Sequence, residues 1–211
     1  MDKSKIVVLL DNGHGKNTPG KRGPKLENGK QLVEWSYVRE IVKGIAGELY
    51  KEGIPYYLVH PEDDEIGGQS NDLVIRTTRA NTHHSKVKKE GRTTIFISVH
   101  VNAAGNSGAW NKASGWTVHV AKQCSANSLK LAQILYAEAE KRGLKGNRSI
   151  PKEMALRNDF WVLRKTNMPA VLTENLFMDN KKNVEYLLSE EGKKSIIDLH
   201  VDGIKQYIAS L

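Results

Sequence analysis

The sequence contains one cysteine, Cys124, among its 211 residues. A single cysteine excludes an intramolecular disulfide and a zinc site built from several thiolates. Cys124 is also a poor candidate nucleophile, because it lies beside Ser125 at the expected start of a helix, away from the predicted strand ends.

Long apolar runs are missing as well. No window approaches the roughly eighteen uninterrupted apolar residues of a membrane-spanning helix, so we expect no membrane insertion. Residues 1–5 enter the first predicted strand without the apolar segment and small-residue cleavage site of a signal peptide. We therefore expect synthesis in the cytoplasm, unless a secretion leader has been removed.

The formal net charge is +8, and the basic residues are spread along the chain, with small concentrations at 86–89 and 181–182. No basic stripe interleaved with aromatic residues accompanies this charge, so nucleic acid is not an expected partner. A solvated surface is the first interpretation, and attraction to another polyanionic partner is the alternative. The length fits one domain, residues 1–211.

An apolar stretch from Ile6 to Leu10 runs directly into Asp11, Asn12, Gly13 and His14. Consecutive aliphatic residues indicate a strand that is covered on both faces, as in a parallel sheet. In open α/β sheets the functional groups lie just beyond the carboxyl ends of the strands. His14 is therefore a candidate functional residue.

Two later stretches repeat this arrangement. Residues 93–101 form a second apolar strand that carries His100, and residues 169–175 form a third that carries Glu174. Helical periodicity separates the strands, and a further short strand is predicted at 160–164. Strands that alternate with helices predict a single α/β domain with a mainly parallel, twisted sheet, flanking helices and an active site at the carboxyl ends of the strands.

Two neutral imidazoles and a carboxylate are typical ligands of a catalytic zinc ion. His14 and His100 supply the imidazoles. Glu34 is the favoured third ligand, because it lies in the first turn of the helix that follows the first loop. Glu27 in that loop and Glu40 further along the helix are the alternatives.

Glu174 is the candidate base, since a carboxylate beside a metal site can accept a proton from water. A lone histidine in a glycine-flanked loop is more often a turn residue, but two at similar strand ends favour a metal site. Trp110, in a polar loop, is the one tryptophan singled out as a possible sugar contact. The other histidines are interpreted as structural or surface residues: His60, His83, His84, His119 and His200.

Four motifs follow one another along the chain: Asp11-Asn12-Gly13-His14-Gly15, Glu34 opening a helix, Ser98-Val99-His100-Val101-Asn102-Ala103, and the segments 162–164, 168–174 and 177–180. Together they resemble the zinc-dependent N-acetylmuramoyl-L-alanine amidases of bacterial autolysins and phage endolysins. The similarity extends in order from about residue 5 to residue 210.

The resemblance implies a Zn²⁺ enzyme with the ligands His14, Glu34 and His100 and with Glu174 as the catalytic residue. The implied substrate is peptidoglycan, cleaved at the amide between N-acetylmuramic acid and the first L-alanine of the peptide stem. A zinc carboxypeptidase or deacetylase, which can use the same residues, remains an alternative. A non-catalytic cell-wall-binding protein is a second, although such a protein would be expected to lack a ligand or Glu174.

Two features depart from the family pattern. Leu176 stands where a glycine is usual, two positions after the catalytic glutamate, and is expected to narrow the space beside Glu174. The segment 104–114 is longer and more polar than expected, and we predict that it shapes substrate preference together with the loop 144–160.

The resemblance also suggests a biological context. No separate cell-wall-binding module is recognised, and a monomer is expected. A phage or prophage lysin that acts on the cell wall after release from the cytoplasm is the favoured interpretation, with a secreted autolysin as the alternative. The basic charge would then favour adhesion to an anionic envelope.

Overall fold

The computed structural model describes residues 3–105 and 108–211. The strands in these residues are β1 (Ile6–Asn12), β2 (Arg22–Lys25), β3 (Gln31–Val33), β4 (Tyr56–Leu58), β5 (Thr93–Asn102), β6 (Thr117–Ala121), β7 (Leu156–Asn158) and β8 (Ala170–Phe177). Six of them form one sheet in the order β4-β1-β5-β8-β6-β7, and β2 pairs with β3 separately. Within the sheet only β6 and β8 are antiparallel neighbours, which confirms the predicted mainly parallel sheet.

Strand β1 is buried along its whole length. Its side chains alternate between the two faces of the sheet, as strand geometry requires. Ile6, Val8 and Leu10 join one hydrophobic cluster, whereas Val7 and Leu9 join a second. Because both faces are covered, the sequence is continuously apolar here instead of alternating.

Helices cover both faces of the sheet. They are α1 (Glu34–Lys51), α2 (Gln69–Lys89), α3 (Ala126–Lys141), α4 (Trp161–Arg164), α5 (Lys181–Leu187) and α6 (Glu190–Ala209). Residues of α1, α3 and α6 join the larger cluster, and residues of α2 and α4 join the smaller one. Ser125 caps α3 as predicted, accepting a hydrogen bond from the backbone nitrogen of Ser128. No helix among the described residues has the length and apolar character needed to cross a membrane.

Two segments differ from the prediction. Residues 160–164 contain the helical turn α4 instead of a strand, and the backbone nitrogen of Leu163 donates to the oxygen of Phe160. Val162 and Leu163 are both buried in the smaller cluster, whereas adjacent residues of a strand would face opposite sides. The first loop, for which the sequence predicts no strand, contains β2, and its partner β3 leads directly into α1.

Candidate active site

His14 follows the end of β1, and its backbone lies in the left-handed region with φ of 60°. A non-glycine residue in this backbone conformation is strained, and the strain is retained only where surrounding contacts hold the backbone in place. Two buried arginines do so here, because Arg39 and Arg76 donate to the His14 carbonyl oxygen over 3.1 and 3.2 Å. Fixed in this way, the His14 ring lies 4.9 Å from the ring of His100, centroid to centroid.

His100 lies in β5, which neighbours β1. Its ring packs directly against Gly13, and a Cβ atom at position 13 would overlap Cε1 of His100. The backbone nitrogen of Gly13 also donates to the oxygen of Val99 over 3.0 Å. The lack of a side chain at Gly13 therefore leaves room for the ring of His100. The next residue in the sequence is the other histidine, His14.

Glu34 is the first residue of α1 and is buried. Its Oε1 accepts a hydrogen bond from the backbone nitrogen of Val101 over 3.0 Å and lies 3.3 Å from Nδ1 of His100. Its Oε2 lies 3.5 Å from Nε2 of His14. One ligand atom from each of these three side chains lies within 4.8 Å of the others.

The two alternative third ligands lie elsewhere. Glu27 pairs with Lys181 over 2.6 Å, and Glu40 pairs with Lys193 over 2.7 Å. Both carboxylates are exposed. Among the carboxylates weighed from the sequence, only Glu34 joins the two histidines.

The three side chains fit a divalent cation. Glu34 Oε2 is buried and has no hydrogen-bond partner among the described residues. Burial lowers the pKa of His14 to about 3 against the opposing influence of Glu34, so that imidazole is neutral, as a ligand must be. Neighbouring donors in a tetrahedral zinc site lie roughly 3.3 Å apart, close to the separations of 3.3 and 3.5 Å between Glu34 and the two histidines.

Glu174 lies in β8 and is paired in register with His100, so the two side chains project from the same face of the sheet. The sequence predicts that this strand ends at residue 175. The strand continues to Phe177, so Glu174 lies within it and not at its end. Its Oε2 is buried without a hydrogen-bond partner in the described part of the chain. Burial raises the pKa of Glu174 to about 7; the negative Glu34 adds to this rise, whereas His100 opposes it.

A cleft of about 270 Å³ opens onto this group, and its lining includes His14, His100 and Glu174. Lys21 and Trp161 also line it, and neither was predicted as a site residue. Lys21 lines a second cavity of about 460 Å³ as well. The sequence around Lys21 does not indicate a site residue, because Lys21 reaches the cleft only once the β2–β3 hairpin has folded.

The remaining predicted residues fall outside the group of His14, Glu34 and His100, which we call the metal group because it could hold a cation. Trp116 is buried and its Nε1 donates to Asn175 over 2.7 Å, whereas Trp161, which was not singled out from the sequence, lines the cleft. Trp110 is partly exposed and does not line the cleft. The histidines interpreted as structural or surface residues do not join the group found in residues 3–105 and 108–211.

From the sequence, Leu176 is expected to narrow the space beside Glu174, and this expectation is wrong. The residue has φ of 63°, in the left-handed region that favours glycine. Its side chain, however, is buried in the larger hydrophobic cluster and does not line the cleft that contains Glu174. Within the segment 104–114, Asn106 and Ser107 lie outside the described residues.

The fold and site define an α/β protein with a His-Glu-His group, and Glu174 on β8 is paired in register with His100 on β5. The Amidase_3 family model, described as N-acetylmuramoyl-L-alanine amidase, matches residues 8–206. The chain belongs to this family.

Curated relatives agree with this membership. The endolysin of Bacillus phage SPP1 is 27% identical over 202 residues, which cover 96% of this chain and 66% of the relative. The probable cell wall amidase LytH of Staphylococcus saprophyticus is 26% identical over 203 residues, covering 96% of this chain and 58% of the relative. The chain thus spans less than two thirds of either relative's length.

Among solved structures, an N-acetylmuramoyl-L-alanine amidase from Clostridium difficile 630 superimposes with a TM-score of 0.78 and 24% identity. The alignment covers 98% of both chains. The likeness extends over the whole α/β architecture and identifies the fold.

Proposed function

We propose that this protein is a zinc-dependent N-acetylmuramoyl-L-alanine amidase that hydrolyses the amide between N-acetylmuramic acid and L-alanine in peptidoglycan. The observation that carries the proposal is the grouping of His14, Glu34 and His100 beside a cleft whose lining includes Glu174. Family membership supports the choice of substrate.

His14, Glu34 and His100 would hold the zinc ion through Nε2, a carboxylate oxygen and Nδ1. When bound, zinc supplies Lewis acidity toward an amide carbonyl and lowers the pKa of water. The protein contributes a preset arrangement: Gly13 admits the His100 ring, and the backbone nitrogen of Val101 orients the Glu34 carboxylate. Contacts of this kind, made to a metal ligand by neighbouring residues, fix the orientation of that ligand.

Glu174 would carry the proton transfers. A carboxylate with a pKa of about 7 is divided between its two protonation states near neutral pH. It can therefore accept a proton from the attacking water and later donate one to the departing amine. Its Oε2 is buried without a hydrogen-bond partner in residues 3–105 and 108–211, which supports this role.

The test is release of stem peptides from purified peptidoglycan by the wild-type protein and by Glu174→Gln, with the zinc content of each measured. We expect wild type to release peptides that begin with L-alanine, and the variant to retain zinc but lose at least about 100-fold in rate. Glu40→Gln, a surface change on α1, is the matched control and should behave as wild type.

Product analysis separates the alternatives. Shortened stems still attached to glycan would indicate a carboxypeptidase, and free acetate would indicate a deacetylase. Full activity in Glu174→Gln would contradict the proposed proton transfer. Absence of bound zinc in an active wild-type protein would contradict the proposed metal.

We also propose that the protein acts on the cell wall as an endolysin or autolysin catalytic domain. The names of its relatives, an endolysin and a probable cell wall amidase, support this context. Its net charge of +8 favours contact with an anionic envelope. Lysis of intact cells that falls steeply with added salt would support the electrostatic part, and salt-independent lysis would contradict it.

A further inference from the structure

We propose that Asp11 and Ser98 are positioning residues that hold His100 in the tautomer with its proton on Nε2, so that Nδ1 faces the metal site. The inference rests on the proposed function, because it assigns these residues a purpose only if His100 binds a cation. The two residues lie opposite each other on neighbouring strands, since Asp11 of β1 is paired in register with Ser98 of β5.

The direction of the hydrogen bonds follows from the donors available. Ser98 Oγ lies 2.5 Å from Oδ2 of Asp11 and 3.1 Å from Nε2 of His100. A carboxylate can only accept, and a hydroxyl carries a single proton. Ser98 must therefore donate to Asp11, and its oxygen accepts from the Nε2 hydrogen of His100.

Asp11 is held in its ionised form. Arg76 Nη1 lies 2.6 Å from Oδ1 of Asp11, and the two side chains are 3% and 1% exposed. Burial alone would raise the pKa of Asp11, but Arg76 and the Ser98 hydroxyl outweigh it and lower the pKa. With no proton of its own, Asp11 cannot reverse the hydrogen bond from Ser98.

The opposite ring nitrogen then points toward the metal site. Nδ1 of His100 lies 3.3 Å from Oε1 of Glu34, on the side of the three-ligand group. In the other tautomer, Nδ1 would carry a hydrogen and donate it to Glu34, in competition with a cation. A fixed tautomer removes that competition.

Arg76 connects this series of hydrogen bonds to the other histidine, His14. Besides Asp11, it donates to the carbonyl oxygens of Asn12 over 2.7 Å and of His14 over 3.2 Å. Asp72 accepts from its Nε over 2.5 Å and fixes the guanidinium on α2. One buried arginine therefore anchors His14 through the backbone and His100 through Asp11 and Ser98.

The tautomer can be measured directly by ¹⁵N NMR of the imidazoles in the zinc-loaded wild-type protein. We expect His100 to carry its proton on Nε2 with Nδ1 bound to metal. The opposite pattern would overturn the proposal without any variant, so a poorly folding mutant does not prevent the test.

Zinc affinity of the metal-free protein, measured by competition with a chromophoric chelator, is the second readout. Ser98→Ala should bind zinc about 10- to 100-fold more weakly, the range typical of residues that orient a metal ligand. Asp11→Asn leaves the Ser98 hydroxyl in place, but the new amide group can donate a hydrogen bond to it. Ser98 can then donate its own proton to Nε2 of His100. Asp11→Asn should therefore weaken zinc binding at least as much as Ser98→Ala, while Ser98→Thr should restore affinity.

Thr173→Val is the matched control, because Thr173 Oγ1 also pairs with a buried histidine, His200, over 3.0 Å. His200 lies outside the metal group, so this variant should keep wild-type zinc affinity. Equal affinity in wild type and Ser98→Ala would overturn the positioning role and leave the proposed function intact. A wild-type protein that binds no zinc would overturn both.

Discussion

Gly13 and His100 approach so closely that a Cβ atom on residue 13 would overlap Cε1 of the histidine ring. The ring cannot retreat freely, because Ser98 contacts its Nε2 and Glu34 faces its Nδ1. The size of the residue just after β1 therefore determines whether His100 on β5 can approach His14 and Glu34.

Gly13→Ala should accordingly displace His100 and weaken zinc binding at least about 10-fold, with a loss in unfolding free energy of about 1–3 kcal/mol from overpacking. Zinc titration of the metal-free protein and denaturant unfolding would measure the two effects. Gly47→Ala is the control, since a Cβ there meets nothing within 4 Å. Inside α1, that change should stabilise the protein by roughly 0.5–1 kcal/mol. Unchanged zinc affinity in Gly13→Ala would contradict the steric requirement.

Lys21 should influence the pH dependence of activity. Its positive charge lowers the pKa of Glu174, against the larger effect of burial. In Lys21→Met the pKa of Glu174 should rise, so the acidic limb of the kcat/KM profile should move to higher pH and activity at low pH should fall. Lys16→Met, a change in the same loop at a residue that does not line the cleft, is the control. A profile for Lys21→Met that coincides with wild type would contradict this coupling.

Glu138 should stabilise the contact between α3 and α6 in a pH-dependent way. Burial would raise its pKa, but hydrogen bonds from Lys141, Gln206 and Arg142 outweigh burial and lower it to about 2 from its ordinary value of 4.5. A depressed pKa contributes stability above about pH 4.5, which is lost as the pH falls toward 2.

Glu138→Gln should therefore lower the unfolding free energy by about 1–2 kcal/mol at pH 7, a modest value because the partner Lys141 is exposed. Urea unfolding at pH 7 and at pH 3 would measure it, and the difference from wild type should shrink at the lower pH. The exposed Glu185→Gln serves as control and should show little difference at either pH. A constant difference across the range would exclude the ionised form as its source.

Leu176 tests whether the departure from the family's glycine concerns activity or stability. Leu176→Gly relieves a left-handed backbone, worth roughly 1–2 kcal/mol, but removes a buried side chain, which costs about 2–5 kcal/mol. The net expectation is a loss in unfolding free energy with kcat/KM unchanged within about twofold, because the side chain does not line the cleft. A large gain or loss in kcat/KM at constant zinc content would place this position in the substrate path.

The sequence alone predicted the mainly parallel α/β sheet and the candidate site residues. Runs such as Ile6 to Leu10 can only be buried, and a run that ends in Gly13 and His14 identifies a strand end. These patterns, with Glu34 in the first turn of the following helix, predict His14, Glu34, His100 and Glu174 as site residues without any distance between them. The short strand predicted at 160–164 failed because so brief an apolar run carries no reliable period.

Only the tertiary structure decided how these residues are held and which others join them. Arg76 meets Asp11 across 65 positions, and Ser98 meets Asp11 across 87. No local pattern marks such pairs, because hydrogen-bond direction and close packing depend on which strands become neighbours. The choice of Glu34 over Glu27 and Glu40, the place of Lys21 in the lining of both cavities and the tautomer of His100 all follow from that arrangement.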